Sequence, residues 1–183
     1  MNTEVCTIAR RVFNEEAAAV ANLGRLLNGD FEKTVEALLA CKGKVIVTGL
    51  GKSGIIGKKI AATLASTGTP AVFMHPTEAF HGDLGMIAKN DSIIAITNSG
   101  ETDEILRLIL YFRYNGNTIV AITGNMDSTL AKNADYVLNV HVEKEVCPLN
   151  LAPTTSATTT LVMGDALAIT LMELRAFKTE DYA

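Results

Sequence analysis

The chain has 183 residues and a mass of 19.5 kDa, with 48% hydrophobic and 20% charged side chains, proportions that suit one compact domain with a sizeable core. Sixteen Lys and Arg against twenty Asp and Glu give a net charge of −4 with no basic run, so no nucleic-acid partner is expected. The apolar stretch Leu161 to Leu174 is broken by Asp165 and Glu173 and is shorter than the roughly 20 residues a membrane span needs. No charged-then-apolar leader opens the chain, and Cys6, Cys41 and Cys147 lack CxxC or metal-like spacing, so the expectation is a cytoplasmic protein with no membrane, disulfide or metal requirement.

Two helical stretches come first, Thr3 to Leu27 and Phe31 to Cys41, the second behind a cap expected at Asp30 after the Asn28-Gly29 break. From Lys44 the pattern changes to short apolar runs: Val45 to Thr48, Ala71 to Met74, Ser92 to Thr97, Thr118 to Thr123 and Tyr136 to Val140. Helical spacing falls between them at Ser53 to Ser66, Thr102 to Tyr114 and Ser128 to Asn133. Strands that are apolar on both faces belong in a parallel sheet covered by crossover helices. The expected fold class is therefore α/β, a doubly wound five-stranded parallel sheet flanked by helices, Rossmann-like or flavodoxin-like. It forms one domain over residues 1–183, with helices in 1–42 and the α/β core in 43–183. The closing stretch, Thr154 to Phe177, is apolar around most of its circumference. Such a helix is expected to be buried on every side, which in a domain this small favours self-association.

In a parallel sheet the ligand crevice lies beyond the carboxyl ends of the strands, and the unusual sequence collects in those loops. Thr48-Gly49-Leu50-Gly51-Lys52-Ser53-Gly54 turns a strand into a helix, aiming free N–H groups and the positive helix end at one spot. A nucleotide-triphosphate loop needs a Gly five residues before Gly-Lys-Ser, where Ile46 stands, and the acid expected for a dinucleotide ribose is replaced by Phe73-Met74-His75. Glycines at such a turn also serve close packing alone. The third strand adds Thr97-Asn98-Ser99-Gly100-Glu101-Thr102, hydroxyls and amides at another helix start. Two helix N-termini on one crevice point to a monophosphate held without a metal or other cofactor.

These two loops, together with the string His75-Pro76-Thr77-Glu78-Ala79-Phe80-His81-Gly82-Asp83-Leu84-Gly85-Met86, the string Glu145-Val146-Cys147-Pro148 and the string Leu151-Ala152-Pro153-Thr154-Thr155-Ser156, resemble the sugar isomerase (SIS) domain of bacterial D-arabinose 5-phosphate isomerases. The resemblance runs from about Lys44 onward. It implies phosphate on Gly51, Ser53 and Gly54 and on Thr97, Asn98, Ser99 and Thr102. It also implies Lys52, Glu104, Glu145 and His81 around a sugar-phosphate substrate, in sites formed between the subunits of a homotetramer. The implied activity is the interconversion of D-ribulose 5-phosphate and D-arabinose 5-phosphate, feeding Kdo synthesis for lipopolysaccharide or capsule. CMP-Kdo is a candidate feedback ligand of the same crevice. Relatives usually continue into a His-Pro-Gly-Gly-type segment carrying a further catalytic His and often into paired CBS domains; the present sequence ends at Asp181-Tyr182-Ala183, as expected of a single-domain or truncated form.

Aldose–ketose isomerisation moves a carbon-bound proton next to a carbonyl through an enediol, for which a carboxylate base suffices. Glu145 is the expected base, being in the loop after the last strand and distant in sequence from the phosphate loops. Glu104 is placed to orient substrate or share proton transfer, Lys52 to stabilise charge, and His81 to move protons between oxygens. Glu101 and Glu104 also suit a helix N-terminus electrostatically, His75 and His141 read as structural, and Cys147 as buried or inert. Two alternatives differ in function: an isomerase of the 6-phospho-3-hexuloisomerase type, and a non-catalytic sugar-phosphate sensor.

Overall fold

The computed structural model describes residues 3–182. Two helices, α1 (Thr3–Leu26) and α2 (Gly29–Ala40), precede an alternation of β1 (Val45–Gly49), α3 (Gly51–Ser66), β2 (Ala71–Met74), α4 (Pro76–Ala79), β3 (Ser92–Ile96), α5 (Asp103–Asn115), β4 (Thr118–Thr123), α6 (Thr129–Asn133) and β5 (Tyr136–Asn139), closed by α7 (Thr155–Leu174). The five strands are parallel in the order β2-β1-β3-β4-β5, the doubly wound sheet expected from the sequence. The expected cap at Asp30 moves to Asn28, whose side chain accepts from the Asp30 N–H while Gly29 becomes the first helical residue. Asp30 instead reaches the sheet, its Oδ2 accepting from the Val137 N–H at 3.0 Å.

Burial follows strand position. β1 and β3 are buried along their whole length and β4 along all but its first residue, whereas the edge strand β2 leaves Val72 exposed. One face of the sheet packs Val45, Val47, Ile94, Ile96, Val120 and Ile122 against α1, α2, α3 and α7. The other packs Ile46, Ile93, Ala95, Ile119 and Ala121 against α5, with Ile105, Leu108, Ile109 and Phe112 inward. Alternation within each strand thus feeds two cores, the physical reason for runs with no polar partner face.

Within one chain α7 is buried on one side only. It is the one described helix long and apolar enough to cross a membrane by length and composition, and it packs Met163, Gly164, Leu167, Ala168 and Leu171 into the first core. Ile169 and Leu174 face outward. Gly164 is required where α7 meets α3, since a Cβ there would lie 2.4 Å from two carbons of Ile60.

The amino edge of the sheet is tied by Asp91, almost wholly buried. Its carboxylate accepts from the Lys44 N–H at 2.9 Å, the Lys44 ammonium at 2.8 Å and the Ala88 N–H at 2.8 Å. Burial alone would raise its pKa; the Lys44 side chain, then the Lys44 and Ala88 amides, outweigh it and hold the group below 3.8. Asp91→Asn is expected to destabilise the domain by about 2 kcal/mol, because the half-buried Lys44 ammonium and two amides lose the buried carboxylate they bond. A depressed pKa contributes stability above the unfolded value and loses it as pH falls through the folded one. The gap in urea midpoint between wild type and variant should therefore be widest at neutral pH and narrow below about pH 4.

Candidate functional site

The strand order reverses between β1 and β3: the chain leaves β1 toward β2 on one side and returns to β3 on the other. That reversal opens a crevice at the carboxyl edge, the place where doubly wound sheets seat ligands. Gly49 of β1 and Ile96 of β3 are paired in register there, so the turns that follow each strand start from adjacent positions.

On the first turn Leu50 occupies the cap position of α3 without a side-chain capping bond, and the first turn of the helix carries no acid. The N–H groups of Gly51, Lys52 and Ser53 therefore lack the partners that a capping side chain supplies elsewhere, and the positive end of a 16-residue helix is left for an anion. Gly51 has φ +57, a left-handed turn that favours glycine. Gly54, expected to hold phosphate, is corrected. It is buried, its N–H donates to the Leu50 carbonyl at 3.2 Å, and a Cβ would lie 2.6 Å from the Gly49 carbonyl oxygen. Gly49 and Gly54 bring strand and helix into contact, and the open donors are those of residues 51–53.

On the second turn the hydroxyls of Thr97 and Thr102 share a hydrogen bond of 2.7 Å, Thr97 and Ser99 one of 3.4 Å, and Ser99 Oγ accepts from the Glu101 N–H at 3.2 Å. Thr102 occupies the cap position of α5 and makes no side-chain capping bond. Asn98 anchors the loop to β4: its carbonyl accepts from the Thr123 hydroxyl at 3.2 Å and the Gly124 N–H at 3.0 Å. Glu101 does not serve its own helix. Its carboxylate accepts from the Thr129 N–H at the start of α6, at 2.7 Å, and that amide holds it below the usual carboxylate range. The loop is thus pinned between β4 and α6 with its hydroxyls gathered at the crevice. The bonds from Asn98 and Glu101 out to neighbouring elements are not legible from the loop's own spacing.

Glu145 sits in the β5–α7 loop as a cap for α7. Its Oε2 accepts from the Thr154 N–H at 2.8 Å, the Thr154 hydroxyl at 3.1 Å and the Ser156 N–H at 3.1 Å, and its Oε1 accepts from the Ser156 hydroxyl. Burial pushes its pKa up, but the Ser156 hydroxyl and the Thr154 and Ser156 amides outweigh that and leave it below 4.5. Thr154 and Ser156 stand in a string that the sequence marked without giving these two a role; their signal is the hydroxyl run Thr154-Thr155-Ser156 at the start of a helix. The packing of α7 on α3 gives the level of this carboxylate. Ile60 and Gly164 meet and are each the tenth residue of their helices. The start of α7 is held at the end of β5 by the Thr159 hydroxyl on the Val140 carbonyl, so α7, like α3, begins at the carboxyl edge.

The remaining expected residues are less fixed. Lys52 is exposed beside the open N–H groups of α3, Glu104 is exposed in the first turn of α5, and His81 is exposed beyond α4; no ion pair joins these three among the described residues. His75 caps α4, its Nδ1 accepting from the Thr77 N–H, and His141 Nδ1 lies 3.0 Å from the Gly124 carbonyl, both structural as expected. Cys147 is not buried. It is half-buried, and the amides of Ala152, Leu151 and Leu149 draw its thiol pKa down. No group of three or more potential metal ligands occurs among the described residues.

The SIS domain family matches residues 38–170. The arabinose 5-phosphate isomerase KpsF of Escherichia coli O6:H1 (strain CFT073) is 54% identical over 178 residues, covering 97% of this chain and 54% of that protein. The arabinose 5-phosphate isomerase KdsD of Pseudomonas aeruginosa is 53% identical over 182 residues, covering 100% of this chain and 56% of that protein. The chain thus spans about half the length of the curated relatives it matches. Among solved structures, an E. coli CFT073 protein in complex with arabinose 5-phosphate superposes with a TM-score of 0.95 at 43% identity, covering 100% of this chain and 97% of that one.

Proposed function

The chain belongs to the SIS domain family, and from that premise we propose that it interconverts D-ribulose 5-phosphate and D-arabinose 5-phosphate. The observation that carries the proposal is the opening at one sheet edge of two uncapped helix N-termini, those of α3 and α5, with a carboxylate held at the start of α7 on the same edge. The phosphate sits on the N–H groups of residues 51–53 with Ser53, and on the hydroxyls of Thr97, Ser99 and Thr102 with Asn98. No acid occupies the first turn of α3, whereas Asp103 and Glu104 occupy that of α5, so α3 supplies the stronger attraction.

Glu145 then removes a proton from C1 of the ketose. The C–H electron pair becomes the C1–C2 double bond of an enediolate, and the carbonyl electrons move to the oxygen on C2. Return of the proton to C2, with the carbonyl re-formed at C1, gives the aldose. Lys52 stabilises the oxyanion, Glu104 orients the sugar hydroxyls, and His81 moves protons between the two oxygens. Names and substrates of the relatives above support this assignment.

The same proposal covers assembly and setting. Self-association into a homotetramer with sites between subunits is supported by apolar side chains left exposed on α1 (Val5, Ile8, Phe13), α5 (Leu110, Tyr114) and the loop bearing Glu145 (Leu149, Leu151). The product feeds Kdo synthesis in the cytoplasm, and CMP-Kdo, carrying both phosphate and carboxylate, suits the same anion-binding crevice as a feedback ligand.

Incubating the protein with arabinose 5-phosphate in deuterated buffer tests the reaction directly. Deuterium should appear at C2 of the aldose together with ribulose 5-phosphate, while a six-carbon ketose phosphate should not turn over. Tight binding of arabinose 5-phosphate with neither exchange nor conversion would overturn the isomerase assignment and leave a sensor.

A further inference from the structure

The Glu145 carboxylate is bonded unequally. Three donors, the Thr154 N–H, the Thr154 hydroxyl and the Ser156 N–H, meet at Oε2, whereas Oε1 receives the Ser156 hydroxyl alone. A carboxylate offers about four lone-pair sites over its two oxygens, so Oε2 is saturated and Oε1 retains a free direction. The backbone around it is fixed as well: the Glu145 N–H donates to Asn150 Oδ1 at 2.8 Å, and the Val146 N–H donates to the Thr155 hydroxyl at 2.9 Å. Ser156 is itself buried, and its carbonyl accepts from the hydroxyls of Thr159 and Thr160, so its position is set by the body of α7.

We infer that Ser156 and Thr154 are positioning residues for the reaction: they lock the Glu145 carboxylate against the start of α7 so that Oε1, and not Oε2, takes the proton from the substrate. Both act through Glu145, and the inference therefore rests on the role proposed for that residue above. The arrangement joins two jobs in one group. The carboxylate closes the N-terminus of a 20-residue helix, whose dipole and amides favour its charged form, and the same bonds aim its remaining lone pair.

The charged groups on the neighbouring elements are either paired elsewhere or exposed. On α1, Glu15 lies 3.8 Å from Lys144 and Glu16 accepts from the Thr158 hydroxyl at 3.2 Å. On α3, Lys59 pairs with Asp165 of α7, and Lys52 is exposed. His141 of the same loop lies against the Gly124 carbonyl, and Glu143 is exposed. None of these makes an ion pair or hydrogen bond to Glu145 among the described residues, so burial, which raises its pKa, is opposed by the hydroxyls and amides of Thr154 and Ser156.

The test is the pH dependence of kcat for ribulose 5-phosphate, paired with a carbon-13 titration of the glutamate carboxyls in which Glu145 is assigned by its absence from E145Q. Ser156→Ala should move both the acid limb of kcat and the Glu145 titration upward by about one pH unit, the size expected for losing one hydrogen bond to a charged group. T154V should move both in the same direction by less, because two amides still serve Oε2, and T154S should restore the wild-type values. T154V also keeps the test open if Ser156→Ala does not fold. A merely structural role predicts lower thermal stability with neither titration moved, and that outcome in a folded variant would overturn the inference while an active wild type leaves the isomerase assignment standing. A wild type inactive on pentose phosphates overturns that assignment and this inference with it.

Discussion

Glu145→Gln is expected to lower kcat for pentose phosphate isomerisation by about 100- to 10,000-fold, the range lost when one positioned general base is removed. The substitution isolates chemistry from architecture. The glutamine carbonyl still accepts the Thr154 and Ser156 amides that reach Oε2, and the Ser156 hydroxyl can turn to accept from the new NH2 group. The start of α7 is thereby kept closed, and the variant should fold with nearly wild-type helical content. KM should change little, because the proposed phosphate seat lies on α3 and the loop before α5. Solvent deuterium exchange into the substrate should fall in parallel with kcat; a kcat within twofold of wild type would remove Glu145 from the base role. Glu104→Gln is the comparison: exposed in the first turn of α5 and bonded to no described side chain, Glu104 should cost less.

Glu145 also marks how far the sequence could be read. The strands were legible because the central three are buried on both faces, so apolar runs with Gly turns between them leave few other folds; the edge strand β2, half-exposed, still ends at Met74 as read. The terminal residues of helices were less legible, since caps depend on which side chain bends back: Asn28, not Asp30, closes α2. The loops at the β1/β3 reversal were visible as glycine and hydroxyl patterns, but spacing could not separate an open donor from a packing glycine. Gly51 and Gly54 look alike in sequence; one has φ +57 with open space where a Cβ would stand, and the other lies against the Gly49 carbonyl. The partner of Glu101 was not legible at all, because the bond crosses to Thr129 of α6, and those of Glu145 left as their signal only the hydroxyl run Thr154-Thr155-Ser156 at the start of α7. Such bonds are made by the fold.

The phosphate seat should be weakened by Gly100→Ala, and the reason lies in that same crossing of elements. Gly100 has φ +69, a left-handed conformation that costs an alanine about 1–2 kcal/mol. Space is the harder constraint: a Cβ at residue 100 would lie 2.0 Å from Ser128 Oγ and 2.3 Å from Ser128 Cβ. Ser128 cannot retreat cheaply, because its hydroxyl caps α6 by accepting from the Ala131 N–H and donates to the Asn125 carbonyl at 2.7 Å. The loop must move instead. That breaks the 3.0 Å bond from the Leu130 N–H to the Gly100 carbonyl and shifts Ser99 and Thr102, which flank Gly100. Each charge-assisted hydrogen bond forfeited to the phosphate is worth about 1.5–3 kcal/mol, so KM should rise by about 10- to 150-fold per bond. Inorganic phosphate, which wild type should bind at this seat, should protect the variant from thermal unfolding less than it protects wild type. Adding Ser128→Gly removes both colliding atoms but not the backbone strain, so the double variant should recover part of the KM loss. A Gly100→Ala protein with wild-type KM would mean that the Ser99–Thr102 loop does not hold the phosphate.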